Sequence, residues 1–257
     1  MRDNILSLCE MPYKAVPLFL KQEVESLYLY DTIYIGSEFC WEKLYPSGGW
    51  SQIIDLCHQM HKKVFFVLPI LLERFNDFFK VIVCALVQHG IDGFVVNDYG
   101  TLWYMVNNYS TLDIVIGRLL LKSARDYLKS NDVNIQCRFP MEIINIVHRF
   151  NCVRIDVDYN VLSYDIKETI DIEIGVHSTC YITSTTLCDY ILYNQDKDGV
   201  IGSRCEYNCY KEFTFLPNSP LFKLGNALLF LQQADSIKYA DKIIVDIICN
   251  KIKSDII

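Results

Sequence analysis

Residues 64–98 read VFFVLPI, then LLERFNDFFKVIVCALVQHG, then IDGFVVND, and this stretch decides the fold. The run over 64–70 is continuously apolar, the mark of a strand buried on both faces. Residues 72–89 carry apolar side chains at helical spacing and close on Gly90, where a helix-ending glycine belongs. Residues 91–96 give a second strand, which stops on Asn97-Asp98. Strand, helix and strand in that order make one parallel β-α-β unit.

The same rhythm extends in both directions. Residues 28–35 read as a strand ending at Gly36, and 50–61 as a helix with Ile53, Ile54, Cys57 and Met60 on one face. Downstream the pattern predicts a helix over 101–108, a strand over 112–119, a helix over 122–129 and a strand over 133–139. A helix over 141–150 and a strand over 153–157 follow. Such a series argues for a parallel sheet with helices outside it, and its length favours a barrel over a doubly wound sheet. No glycine-rich nucleotide fingerprint follows the first strand, which counts against a dinucleotide-binding domain. The expected fold is α/β, an incomplete or distorted (β/α) TIM-like barrel forming a single domain over 1–257. Past residue 158 the rhythm breaks into an elaborated C-terminal third, with short strands expected over 213–216 and 243–247.

Composition narrows the function classes. With 51% apolar and 21% charged residues and a formal charge of −7, the chain has the balance of a soluble globule. Lysine and arginine are scattered, with no run longer than Lys62-Lys63, so nucleic acid is disfavoured as a partner. No apolar run approaches a membrane span; residues 112–121 are interrupted by Asp113, Gly117 and Arg118. The N-terminal Met1-Arg2-Asp3-Asn4 leads into no signal-peptide core, so a reduced, cytoplasmic location is expected.

Eleven cysteines is a high and odd number for 257 residues, and a chain this long needs no disulfide staples. Cys57, Cys84, Cys152 and Cys249 sit in apolar stretches and read as small core residues. Cys180, Cys188, Cys205 and Cys209 differ: serines and threonines crowd the first pair, and Arg204, Glu206 and Asn208 flank the second. A polar, loop-like setting suits a ligating thiolate, and the segment at about 175–212 is the candidate cluster-binding region. Cys40 lies just past the first convincing strand, on the barrel face where active sites gather. Four thiolates could hold zinc or an iron–sulfur cluster, and ordinary cysteines without metal are the third reading.

Other residues carry a structural and a functional reading side by side. His177 reads as an exposed loop histidine or a donor behind a ligand. Asn97 and Asp98 read as a helix cap or as pocket residues, and Glu142 as a first-turn glutamate that suits the helix dipole. Arg118 and Arg138 read as surface ion-pairing residues or as receivers of a dicarboxylate. His58 and His61 read as the solvated edge of a helix.

Several segments resemble the bacterial U-32 family of collagenase-like peptidases, and within it the UbiV-like branch. Asp31-Thr-Ile-Tyr-Ile-Gly36 followed by Cys40 is similar to that branch's opening strand and cysteine. Gly90-Ile-Asp-Gly93 through Asn97-Asp98-Tyr99-Gly100, and Arg138-Phe-Pro140-Met-Glu142, resemble further family segments. His177 to Cys180, the Cys205-x3-Cys209 pair, Phe213 to Pro217 and Leu224-Gly225-Asn226 match the cysteine-rich and closing parts. The chain departs from the branch at Trp41-Glu42-Lys43 and at Arg118-Leu-Leu-Leu.

The resemblance implies a [4Fe-4S] cluster on Cys40, Cys180, Cys205 and Cys209, with Cys188 as the alternative ligand and zinc as the alternative metal. It implies a component of oxygen-independent hydroxylation, in particular ring hydroxylation of ubiquinone precursors, acting as a heterodimer with a UbiU-like partner. Prephenate would be the oxygen donor. RNA-base hydroxylation and a non-enzymatic zinc-stabilised scaffold are the alternatives. Peptidase chemistry is not expected, since neither a Ser/His/Asp arrangement nor H-E-x-x-H occurs.

Overall fold

The computed structural model describes residues 4–44, 49–121, 141–158, 171–185, 214–215, 221–224, 227–231 and 240–247. Eight parallel strands close into a barrel: β1 (Asn4–Ser7), β2 (Tyr30–Gly36), β3 (Lys63–Leu68), β4 (Gly93–Val96), β5 (Asp113–Ile116), β6 (Arg154–Asp158), β7 (Glu173–His177) and, far along the chain, β12 (Lys242–Asp246). β12 pairs in parallel with both β7 and β1 and so closes the ring. Helices α1 (Val16–Gln22), α2 (Val24–Leu27), α3 (Trp50–Gln59), α4 (Asn76–Gln88), α5 (Tyr99–Asn108) and α6 (Met141–Phe150) lie in the crossovers.

The barrel expected from the sequence is therefore present, in its distorted rather than its incomplete form. The distortion lies between β7 and β12. That crossover carries an antiparallel sheet, in the order β8 (Cys180–Thr185), β11 (Ala227–Leu231), β10 (Leu221–Leu224) and β9 (Thr214–Phe215). β5 bonds directly to β6, although the sequence predicts a further strand between them, over 133–139. That stretch and the helix expected over 122–129 lie outside the described residues.

Period-two alternation explains why the strands read as unbroken apolar runs. Val64, Phe66 and Leu68 of β3 face the helical shell, where Phe66 meets the Trp50 ring edge-on at 5.2 Å. Phe65 and Val67 face inward, with Ile5, Tyr34, Val95, Val115 and Ile244. Deleting a buried phenylalanine such as Phe66 costs about 3–5 kcal/mol.

Strand ends are set by local chemistry. Gly36 closes β2 at φ +105°, and a Cβ there would press on the Val67 carbonyl, so only glycine fits. The strand expected over 112–119 stops at Ile116 because the chain turns at Gly117, whose carbonyl accepts the Leu120 N–H at 3.2 Å. Asp98 caps α5 through the Thr101 N–H at 2.8 Å and also receives the Leu71 N–H at 2.9 Å. Among the described residues no helix is long and apolar enough to cross a membrane.

Candidate functional site at the carboxyl mouth

β6 sends three charges into the barrel. In Arg154-Ile-Asp-Val-Asp158, Ile155 and Val157 face the shell, while Arg154, Asp156 and Asp158 are buried on the other face. Arg154 and Asp156 bond to each other at 2.9 Å, and Asp156 accepts the Tyr34 hydroxyl at 2.6 Å. Asp158 stands at the end of the strand, at the carboxyl mouth.

Arg118, in the turn after β5, is the centre of that mouth and is only 5% exposed. Its Nε and Nη2 grip the two oxygens of Glu38 at 3.0 and 2.5 Å. Its Nη1 donates to Asp158 at 3.0 Å and to the Cys180 carbonyl at 3.4 Å, and lies 4.0 Å from Asp246. Burial works against the guanidinium's charge, but Glu38 and Asp246 outweigh it and hold the pKa well above its ordinary value. This bidentate, buried arginine is no surface ion pair: among the described residues its charge is already met by Glu38, Asp158 and Asp246. Arg138 lies outside the described residues, as does the side chain of Glu142.

A second pair flanks it. His177 ends β7 and is 2% exposed, a correction to the loop histidine expected from the sequence. Its Nδ1 lies 2.9 Å from Asp246 Oδ2, on the neighbouring strand β12. Burial alone would raise the Asp246 pKa; His177 and Arg118, with hydrogen bonds from His177 and Ser7, bring it down to about 2. An imidazole oriented in this way by a carboxylate has a fixed tautomer, which suits proton handling or support of a bound group.

The third group surrounds Glu10. One carboxylate oxygen accepts the Ser37 hydroxyl at 2.6 Å and the Glu38 N–H at 2.8 Å; the other pairs with Lys43 at 2.5 Å. Glu10 and Lys43 are both buried. Asn97 completes the rim as a staple between strands, donating to the Leu68 carbonyl at 2.9 Å and accepting the Leu119 N–H at 3.2 Å.

Two of the five candidate thiols fall within the described residues. Cys40 lies in the turn after β2, partly exposed, with its N–H on the Ser37 hydroxyl at 3.0 Å. Burial, and then Glu10, push its thiol up to about 12, against the pull of Lys43. Cys180 opens β8 and is fully buried in an apolar cluster with Phe39, Leu119, Ile182, Phe222 and Leu229. Its setting is thus an apolar strand rather than the polar loop expected. Phe39, the neighbour of Cys40, shares that cluster, so both cysteines belong to one mouth. Cys188, Cys205 and Cys209 lie outside the described residues. Among the described residues no three His, Cys, Asp or Glu side chains converge to hold a metal ion. Of the cysteines read as core, Cys57 and Cys152 are buried, Cys84 is exposed on α4, and Cys249 lies outside the described residues. His58 pairs with Asp92 at 2.9 Å on the solvated edge of α3, and His61 is exposed, as expected.

Sequence reasoning missed Glu10, Glu38, Asp158 and Asp246. One signal was available: a polar or charged residue stands at or just past the end of β1, β2, β4, β5, β6, β7 and β12. In a parallel barrel those positions share one mouth.

The sequence matches no protein-family model and no curated protein. In fold, the chain is a closed eight-stranded α/β barrel similar to the U32 peptidase Mk0906, with a TM-score of 0.52 at 12% identity over 95% of this chain and 92% of that one. It is also similar to tryptophan synthase from M. tuberculosis in an open form, with a TM-score of 0.50 at 11% identity over 98% and 86% of the two chains. At such identities the likeness is one of fold, and the chemistry has to be argued from the mouth itself.

Proposed function

We propose that this chain is a U-32-type iron–sulfur protein of the UbiV-like kind, a component of an oxygen-independent hydroxylation system. The observation that supports the reading is that Phe39, next to Cys40 in sequence, packs in one apolar cluster with Cys180, which puts the two cysteines, remote in sequence, on the same barrel mouth. Each has a buried cation as an electrostatic neighbour, Lys43 for Cys40 and Arg118 for Cys180. Cationic neighbours suit thiolate ligands, which are negatively charged and have to shed their protons to bind metal. Place favours such a group, since both cysteines lie at one mouth; charge favours it less, because burial and Glu10 outweigh Lys43 at the Cys40 thiol. Cys40 and Cys180 would hold it with Cys205 and Cys209, or with Cys188 in place of Cys40. When bound, a [4Fe-4S] cluster supplies one-electron chemistry, its potential set by burial and hydrogen bonding. The protein's own contribution is the fixed polar frame of Arg118, Glu38, Asp158, His177 and Asp246. A UbiU-like second subunit and prephenate as oxygen donor belong to the same proposal, and both follow from the sequence resemblance. With Arg118 already paired to Glu38 and Asp158, prephenate would have to share it or find another receiver.

Anaerobic purification with iron and sulfide quantitation tests the reading. About four of each per chain are expected, falling sharply in Cys180→Ala and Cys40→Ala. Zinc without iron or sulfide would sink it. Loss in Cys188→Ala with retention in Cys40→Ala would move the fourth ligand.

A further inference from the structure

Glu10 follows β1, yet its carboxylate is spent on a different segment of chain. Its backbone sits at φ +70°, the left-handed region that a glutamate seldom adopts. Strain of this kind persists only where the surroundings enforce it, and it clusters at functional sites. Here the enforcement is visible. Glu10 Oε1 accepts the Ser37 hydroxyl at 2.6 Å and the N–H groups of Glu38 and Phe39 at 2.8 and 3.4 Å. Ser37 Oγ in turn accepts the N–H groups of Phe39 and Cys40 at 3.2 and 3.0 Å. Glu10 Oε2 holds Lys43, the far end of the same segment. One buried carboxylate therefore organises the turn 37–43 from both ends, in the manner of an anion in a nest of backbone donors. The turn delivers Glu38 to Arg118 and Phe39 to the Cys180 cluster, and it exposes Cys40 at the rim.

We propose that Glu10 is a positioning residue that presents Cys40 at the carboxyl mouth, acting through the turn 37–43. The role of Cys40 as a ligand rests on the function proposed above; the presentation of its thiol does not. The test is site-resolved alkylation of the metal-free full-length protein with iodoacetamide, read by mass spectrometry, with Cys57 and Cys152 as reporters of general opening. Glu10→Ala is expected to speed alkylation of Cys40 about tenfold or more while Cys57 and Cys152 keep their wild-type rates. Glu10→Gln retains an acceptor oxygen for Ser37 and Glu38 but also removes the charge that opposes the Cys40 thiolate, so it measures the electrostatic part of the rise. Glu10→Ala is expected to exceed it several-fold, and an equal rise in the two variants would overturn the proposal. An unchanged Cys40 rate in Glu10→Ala would overturn the proposal. So would a rise shared by all three cysteines, which would mark a loosened fold rather than a released turn. Iron content of the same variants, purified anaerobically, is expected to fall in Glu10→Ala and to recover in Glu10→Gln. Wild-type protein devoid of iron would remove the cluster reading and leave the alkylation result standing.

Discussion

The two mouths of this barrel are built from the same eight strands and use charge in opposite ways. At the amino mouth, Lys63, Asp113, Arg154, Glu173 and Lys242 alternate in sign around successive strand starts and line an open recess of about 980 Å³. Their pairs across the rim are long: Lys63 lies 3.8 Å from Asp113, with the two side chains 65% and 42% exposed, and the exposed Glu173 lies 3.8 Å from Arg154, whose buried guanidinium is bonded to Asp156 deeper in the barrel. At the carboxyl mouth, Glu10, Lys43, Glu38, Arg118, Asp158, His177 and Asp246 are all buried, and their main contacts fall between 2.5 and 3.0 Å. Wet, separated charges contribute little to stability. Buried ones are held only if every partner is satisfied, so the two mouths differ in what their charges cost and in what breaking them does.

The largest expected effect comes from breaking the carboxyl mouth at its central cation. Arg118→Leu leaves Glu38 and Asp158 buried without their counter-charge and is expected to cost about 3–5 kcal/mol in a urea melt. A loss under about 1 kcal/mol would mean that water reaches the carboxyl mouth and that the contrast between the mouths is false.

Acid titration sharpens the contrast next. Asp246 is held at about 2, below its ordinary 3.8, so its charge contributes stability above the unfolded value and loses it as pH falls through the folded one. That contribution is about 2 kcal/mol at neutral pH, of the order of the shift itself. Asp246→Asn is expected to be less stable than wild type at pH 7 and to converge with it between about pH 4 and pH 2. Parallel stability curves across that range would show that Asp246 is not the group responsible.

What the sequence disclosed follows the same division. The barrel was legible because burial on both faces forces runs such as 64–68 to be apolar throughout, and because Gly36 and Gly90 mark element ends. The eighth strand, Lys242–Asp246, was legible only as a short strand, since nothing local says that it pairs with β1 and β7. The carboxyl mouth was legible only in part. Cys40 was placed correctly at a strand end, but Arg118 and His177 look like surface residues in isolation. Their burial depends on Glu38, Asp158 and Asp246, partners as many as 80 residues away in sequence for Arg118 and Glu38. Pairing across a closed ring is a property of the fold, and no window of sequence contains it.

The smallest effect is expected at the amino mouth, and it is the cleanest test of the comparison because it predicts near-silence. Lys63 and Asp113 begin the neighbouring-but-one strands β3 and β5, reaching past Gly93, which has no side chain to fill the gap. At 3.8 Å and this exposure, solvent screens the pair, and ordering two long side chains offsets most of the attraction. A double-mutant cycle with Lys63→Ala and Asp113→Asn is expected to give a coupling of about 0.2–0.5 kcal/mol at low salt. Raising the ionic strength to about 0.5 M should remove most of it, since the screening length then falls below 5 Å or so. A salt-resistant coupling above about 1 kcal/mol would make Lys63–Asp113 a desolvated pair, like Arg154–Asp156 deeper in the barrel. Charge burial would then no longer distinguish the two ends of the barrel.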